Sequence, residues 1–393
     1  MWIERQTKKS IEEACGARPA ILLTGARQTG KSSLLQKMFP DAAYVTLDHV
    51  PSAAEAEANP DRFLDRFSGP VILDEVQYAP SLFRELKIRI DENRAAHGRW
   101  ILTGSQRFSL MQKAGESLAG RISVLQLETL SAKELRECGR FSKKTIEDCL
   151  WKGGYPELWS NPKLTAQMFY EDYIQTYLEK DLRTILNVSN LRDFRRFIQL
   201  CAARTGQLLN YADISKDTGV SAPTIKSWIS VLEASGIIYL LPPFFANIGK
   251  RLIKAPKLYF SDTGLLSHLL NIPDEDSYCR SPYHGAIWEN FVFTELVKTL
   301  QAVPGRTLSF YRDQNGVEID FIIERSGKLY LIEAKSAERV DPRKLNFSKV
   351  TPLFPEQETG CILMHLSQEK RPVRLAGYTS LNPLHHSISL EQP

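Results

Sequence analysis

The chain has 393 residues, 43% hydrophobic and 24% charged, with a formal net charge of +4. That length exceeds what one hydrophobic core usually holds, so two or three domains are expected, and the composition is that of a folded globular protein rather than a disordered or fibrous one. A basic excess this small does not by itself establish nucleic-acid binding, which follows from locally clustered Lys and Arg rather than from global charge.

The first residues, MWIERQTKKSIEEA, read as a charged helix rather than a basic stub followed by an apolar segment, and no apolar run along the chain approaches the length of a membrane span. Six cysteines, at 15, 138, 149, 201, 279 and 361, are scattered with no C-x-x-C pair. That spacing predicts neither a zinc ribbon nor a disulfide framework and suits a reducing cytosol, so a cytoplasmic protein without structural metal or membrane partner is expected.

Residues 21–35, ILLTGARQTGKSSLL, run from an apolar strand through a glycine-bounded loop into a helix with the spacing G-x-x-x-x-G-K-[ST]. Gly25 and Gly30 let the backbone curl so that its N–H groups point at phosphates, Lys31 reaches the β/γ oxygens, and Ser32 supplies a ligand to Mg²⁺. The helix starting near Gly30 places its positive end under the same phosphates. The whole loop, Gly25, Ala26, Arg27, Gln28, Thr29, Gly30, Lys31, Ser32 and Ser33, is therefore expected to bind a nucleoside triphosphate.

A second apolar strand, Val71 to Leu73, ends in two acids. Asp74 is placed to hold Mg²⁺ through water and Glu75 to orient or deprotonate the attacking water, because phosphoryl transfer is mostly positioning and charge stabilisation. A third, Arg99 to Ser105, ends in small polar residues, with Ser105 the candidate sensor of the γ-phosphate or its water. Arg121, before the apolar stretch Ile122 to Leu127, is a candidate to stabilise charge on the transferring group. The break from Gly153 to Pro156 reads as the close of this core. Met168, Tyr170, Tyr173, Ile174, Tyr177 and Leu178 then mark a helix with an aromatic packing face, followed by a charge cluster at Glu179, Lys180, Asp181 and Arg183.

From Leu191 a basic helix with Arg192, Arg195 and Arg196 leads into a helix-turn-helix pattern over 211–232. Gly219 suits the turn, Ser221 caps the second helix, Pro223 sits in its first turn, and Ile225, Ile229 and Leu232 face the core. An apolar strand from Ile237 to Leu241 and the basic residues Lys250, Arg251, Lys254 and Lys257 then read as the wing of a winged helix. Such a domain lays a helix in the DNA major groove, and it also serves as a protein-interaction module; both readings stand at this point.

Near the end, a strand carrying Asp320 turns at Ser326 and Gly327 into one ending in Glu333-Ala334-Lys335. Residues two apart on a strand share a face, so Glu333 and Lys335 point together, and pairing across the turn brings Asp320 beside them. The preceding helix, through Glu289, is placed to add a further carboxylate. Carboxylates so arranged can hold Mg²⁺ or Mn²⁺ for phosphodiester chemistry.

The segments GARQTGKS, VILDEVQ, ILTGS and LAGRI, in that order, resemble the bacterial and archaeal AAA+ family of ATPases with a C-terminal domain of unknown function. The resemblance implies an α/β P-loop core with Gly25 to Ser33 as Walker A, Asp74 and Glu75 as Walker B and Ser105 as sensor, with ATP and Mg²⁺ as ligands. Arg27 and Gln77 match the family pattern too. It further implies homo-oligomers in which an arginine, Arg121 or Arg183, reaches a neighbour's nucleotide. The final constellation resembles the PD-(D/E)xK nuclease fold, with Glu289, Asp320, Glu333 and Lys335 in the metal and catalytic places, either active in cleavage or kept for binding alone.

The expected architecture is an AAA+ P-loop core over 1–159, a helical linker and winged helix over 160–270, and a nuclease-like α/β domain over 271–393. Its expected function is ATP hydrolysis coupled to binding or remodelling DNA, with a nucleotide-dependent switch acting on a protein partner as the alternative.

Overall fold

A computed structural model describes residues 2–105, 118–176, 191–244 and 255–390. Arg183 with its neighbouring charge cluster, Tyr177 and Leu178, and the basic residues Lys250, Arg251 and Lys254 lie outside the described residues. The chain forms two compact units: Trp2–Glu128 with the short segment Ala234–Gly236, and Thr129–Glu233 with the chain from Ile237 onward.

The first unit is built on five strands, β1 (Ala20–Thr24), β2 (Ala43–Thr46), β3 (Val71–Asp74), β4 (Trp100–Gly104) and β5 (Ile122–Gln126), in the order β2-β3-β4-β1-β5. All neighbours run parallel. A parallel sheet is covered on both faces, which is why β1, β3 and β4 are buried along their whole length. Alternation along each strand supplies two cores. Ile21, Leu23, Ile72 and Ile101 pack on Ile11 of the helix Thr7–Ala17 and on Leu34 and Leu35 of the helix Lys31–Met38. Leu22, Leu73 and Leu102 face the other way, onto Phe63 and onto Phe83, Leu86 and Ile90 of the helix Leu82–Glu92.

The second unit opens with short helices over 132–173. Leu191–Ala203, Tyr211–Thr218 and Ala222–Ala234 follow as helices, then an antiparallel pair, β6 (Ile238–Leu241) with β7 (Lys257–Phe260). Asn210 caps Tyr211–Thr218 by accepting from the N–H groups of Ala212 and Asp213, and Gly219 ends it in the left-handed region. Ile225, Trp228, Ile229 and Leu232 are buried, with the Trp228 ring 5.5 Å from Phe194 and 5.1 Å from Phe197. Beyond them a six-stranded sheet, in the order β12-β13-β11-β10-β9-β8, comprises β8 (Leu308–Arg312), β9 (Glu318–Arg325), β10 (Lys328–Lys335), β11 (Glu358–His365), β12 (Val373–Leu375) and β13 (Tyr378–Leu381). β9 and β10 form a hairpin through Ser326 and Gly327, both at positive φ, while β10 and β11 run parallel. The helix His284–Leu300 is tied to this sheet by the Trp288 indole, which donates to the Met364 carbonyl at 3.1 Å. Among the described residues no helix is long and apolar enough to cross a membrane.

Two details differ from the sequence reading. Residues 129–159 were expected to close the nucleotide core, yet they belong to the second unit. The glycines at 153 and 154 answer to close packing, not to a linker. The Gly154 N–H donates to Asp262 at 2.8 Å, its carbonyl accepts from Leu130 at 2.7 Å, and a Cβ on Gly153 would stand 2.1 Å from the Asp262 carboxylate. In the helix Ala166–Tyr173, Met168 faces solvent, and the buried face is Phe169, Tyr170 and Tyr173, gathered around the Tyr155 ring. Gly153→Ala, which adds a Cβ both at φ +73° and against a carboxylate, should destabilise the second unit by about 3 kcal/mol, read as a lower urea midpoint. An unchanged midpoint would mean the contact yields freely.

Candidate active site

β1 ends at Thr24 and the chain turns at Gly25, where φ is +145° and a Cβ would meet the Leu127 carbonyl oxygen at 2.3 Å. Only glycine passes there. Gly30, at φ +90°, is the N-cap of Lys31–Met38, so the loop ends where the free N–H groups of that helix begin. The loop is also held from behind. The Arg5 guanidinium, buried, donates to the carbonyls of Thr29 and Glu128, and the Thr29 hydroxyl closes the loop onto Ala26 at 3.0 Å.

Lys31 folds back over the loop, its ammonium 3.1 Å from the Gly25 carbonyl and 2.9 Å from that of Ala26. Burial pushes this lysine below its ordinary pKa, against the upward pull of Glu75 and Asp74 and with the downward push of Arg27. An anion placed at the loop would supply the charge that the carbonyls only partly provide.

β3 brings Asp74 to the carboxyl end of the sheet, where three hydroxyls converge on it. Ser32 Oγ lies 2.9 Å from each carboxylate oxygen, the Tyr44 hydroxyl donates to Oδ2 at 2.7 Å, and Thr103 Oγ1 donates to Oδ1. Ser32 and Asp74 are hard oxygen donors side by side, a pair able to hold Mg²⁺ together with waters and phosphate oxygens. Glu75 follows in the left-handed region at φ +55°, unusual for a residue with a side chain. Its Oε2 takes three donors, the Ser105 N–H at 3.1 Å, the Ser105 hydroxyl at 3.0 Å and the Gln77 amide. With Oε2 so engaged, Oε1 is left to accept from a water. Asp48, just beyond β2, is pushed up by burial and then by the neighbouring Glu75 and Asp74.

The structure therefore gathers Lys31, Ser32, Asp74, Glu75 and Ser105 at one end of the sheet. Arg121 is elsewhere. It precedes β5, whose parallel pairing with β1 starts at Ala20 and Ile122, so it stands at the opposite end of the sheet from the loop, forked onto Asp91 at 2.9 and 2.8 Å. Sequence reading missed Arg5 and Tyr44. Arg5 sits in a charged run typical of a solvated helix, and Tyr44 lies on an edge strand of mixed exposure, so neither carries a local signal.

In the second unit, β9 and β10 bring Asp320, Glu333 and Lys335 together. The Lys335 ammonium is 3.3 Å from Asp320 Oδ2 and 3.1 Å from Glu333 Oε2, and the Ala334 N–H donates to Asp320 at 2.8 Å. Glu289 instead binds the β7 residues Lys257, at 2.9 Å, and Tyr259, at 2.6 Å. Among the described residues no group of three or more His, Cys, Asp or Glu side chains is arranged to hold a metal ion.

Three family descriptions match the chain in succession: an AAA domain over residues 17–136, a domain of unknown function (DUF8612) over 106–276 and another (DUF4143) over 284–380. The uncharacterized protein Rv2008c of Mycobacterium tuberculosis is 33% identical over 344 residues, covering 85% of this chain and 74% of its own length, and Mb2031c of Mycobacterium bovis matches to the same extent. The chain belongs to this family of AAA-domain proteins with a C-terminal domain of unknown function. It is an AAA+ enzyme that hydrolyses ATP. Among solved structures, the Walker-type ATPase PABY2304 of Pyrococcus abyssi is similar at 17% identity and TM-score 0.45, covering 68% of this chain and 96% of that one. A superposition this partial decides nothing about function.

Glu75→Gln keeps the side-chain volume and the Ser105 contacts but removes the carboxylate. It should leave ATP binding intact and lower turnover by about a hundred- to ten-thousand-fold. Lys31→Ala should abolish binding of a fluorescent ATP analogue. Unchanged turnover in the first variant, or retained micromolar affinity in the second, would move the site elsewhere.

Proposed function

We propose that this ATPase couples nucleotide turnover to engagement of DNA by the helix-turn-helix of its second unit. The observation that carries the reading is the helix Ala222–Ala234. Its buried side is fixed by Ile225, Trp228, Ile229 and Leu232, and Lys226, Ser227 and Ser230 are left in solvent, short donors suited to phosphates and base edges. The helix Leu191–Ala203 adds to this, burying Phe194, Phe197 and Ile198 and exposing Arg192, Arg195 and Arg196. With the β6–β7 pair behind them, these helices support a winged-helix reading.

In the nucleotide unit, the loop N–H groups and Lys31 bind the phosphates, and Lys31 exchanges its two carbonyl partners for the β/γ oxygens. Ser32 and Asp74 would hold Mg²⁺, which when bound neutralises developing phosphate charge. Glu75, gripped at Oε2 by Ser105 and Gln77, presents Oε1 to the attacking water and takes its proton. Ser105 acts through Glu75, setting the direction of that carboxylate. Tyr44 and Thr103 hold Asp74 in register with Ser32.

Lys226→Ala should weaken binding of a labelled duplex and lower the slope of log affinity against log salt by about one if the lysine meets a phosphate. Arg196→Glu should weaken it further, by fluorescence anisotropy at fixed low salt. If neither variant changes duplex affinity, the helix-turn-helix is not the DNA surface, and a protein partner becomes the better reading.

A further inference from the structure

The nuclease-like pattern implies a divalent metal among Glu289, Asp320 and Glu333, and the side chains around them do not fit one. Lys257 of β7 is 1% exposed, with its ammonium 2.9 Å from Glu289 Oε1 and also paired with Glu318. The second oxygen of Glu318 lies 3.0 Å from the Arg312 guanidinium. The Tyr259 hydroxyl occupies Glu289 Oε1 as well, at 2.6 Å. Glu333 accepts the Asn346 N–H on Oε1, and its buried Oε2, which accepts no hydrogen bond, is ion-paired with the Lys335 ammonium at 3.1 Å, while Asp320 Oδ2 receives both Lys335 and the Ala334 N–H. Four carboxylates, Glu289, Glu318, Asp320 and Glu333, thus face three cations that the chain itself supplies.

A hard dication needs several carboxylate oxygens free of other partners and turned toward one position. Here Lys257 and Tyr259 hold Glu289 while Lys335 holds Asp320 and Glu333, so the oxygens are turned toward separate donors, and a dication brought beside either ammonium would set two cations against each other. The Lys257 ammonium is held inside the fold by two carboxylates at once, those of Glu289 and Glu318.

We propose that Lys257 is a built-in counter-cation taking the place of a divalent metal, so that this acid cluster fastens the β6–β7 pair to the helix His284–Leu300 and the C-terminal sheet instead of cleaving phosphodiesters. A second joint beside it points the same way. Asn290, one residue along the helix from Glu289, bonds both backbone groups of Phe260 on β7, at 2.7 and 2.9 Å, and accepts the Thr205 hydroxyl at 2.8 Å. The turn after the helix Leu191–Ala203 and the helix His284–Leu300 thereby meet at one strand, β7.

The test is a titration of Mn²⁺ alone into the full-length, nucleotide-free protein, followed by electron paramagnetic resonance of the free ion. Wild type and Asp320→Asn should bind Mn²⁺ to the same extent, because Asp320 contributes to no metal site. Lys257→Met should lower Tm, with Mn²⁺ now binding and restoring part of it, and adding Asp320→Asn should remove that rescue. An Mn²⁺ site in wild type that Asp320→Asn or Glu333→Gln abolishes would overturn the proposal, as would metal-dependent nicking of supercoiled plasmid lost in Asp320→Asn. A Lys257→Met protein with unchanged Tm would overturn it too. Should that variant not fold, the comparison of wild type with Asp320→Asn decides alone.

Discussion

A carboxylate buried at the end of a parallel strand must be satisfied, and in this protein that requirement organises the catalytic end of the sheet. Asp74 is 5% exposed. An unpaired buried charge costs several kcal/mol, and here three hydroxyls from three separate elements meet it: Ser32 at the start of a helix, Tyr44 on β2 and Thr103 on β4. Each of those bonds fixes the element that carries it. The helix that follows the glycine loop, the edge strand and β4 are thereby held in one register, the kind of preorganisation that electrostatic catalysis needs. Glu75, one residue on, inherits its place from the same strand end and its direction from Ser105 and Gln77.

The second unit is organised by buried polar groups in a different role. Asp262 joins the N–H groups of Gly154, Gly264 and Leu265 to the Tyr170 hydroxyl, so a single side chain welds the early helices of the unit to the start of the helix Thr263–Leu269. Lys257 and Asn290 do the same between β7 and the long helix His284–Leu300. Polar joints of this kind fix one arrangement where apolar packing alone would tolerate several.

The placement of the candidate nucleotide-site residues at one end of the sheet was legible in the sequence because their pattern is local. Nine consecutive residues carry the loop, and Asp74, Glu75 and Ser105 sit at strand ends that their own apolar runs announce. The β9–β10 hairpin was equally plain, since Ser326-Gly327 and the two-residue period fix its register. What did not show was pairing at a distance. Nothing near Lys257 marks it as the partner of Glu289, and it read as one more basic residue of a wing. Gly153 and Gly154 looked like punctuation because glycine serves both turns and close approaches, and only the Asp262 carboxylate beside them tells which. Arg121 had the right residue type near the right strand, but the direction of β5 carries it away from the loop of its own chain.

The measurement that bears most directly on the coupling is the steady-state ATPase rate with Mg²⁺, alone and with single-stranded, duplex and branched DNA, at one fixed low salt concentration. One DNA form should raise turnover strongly, with the stimulation fading as salt screens phosphate contacts. A rate indifferent to every form, with no binding detected in parallel, would contradict the coupling and leave an ATPase whose second unit serves a protein partner.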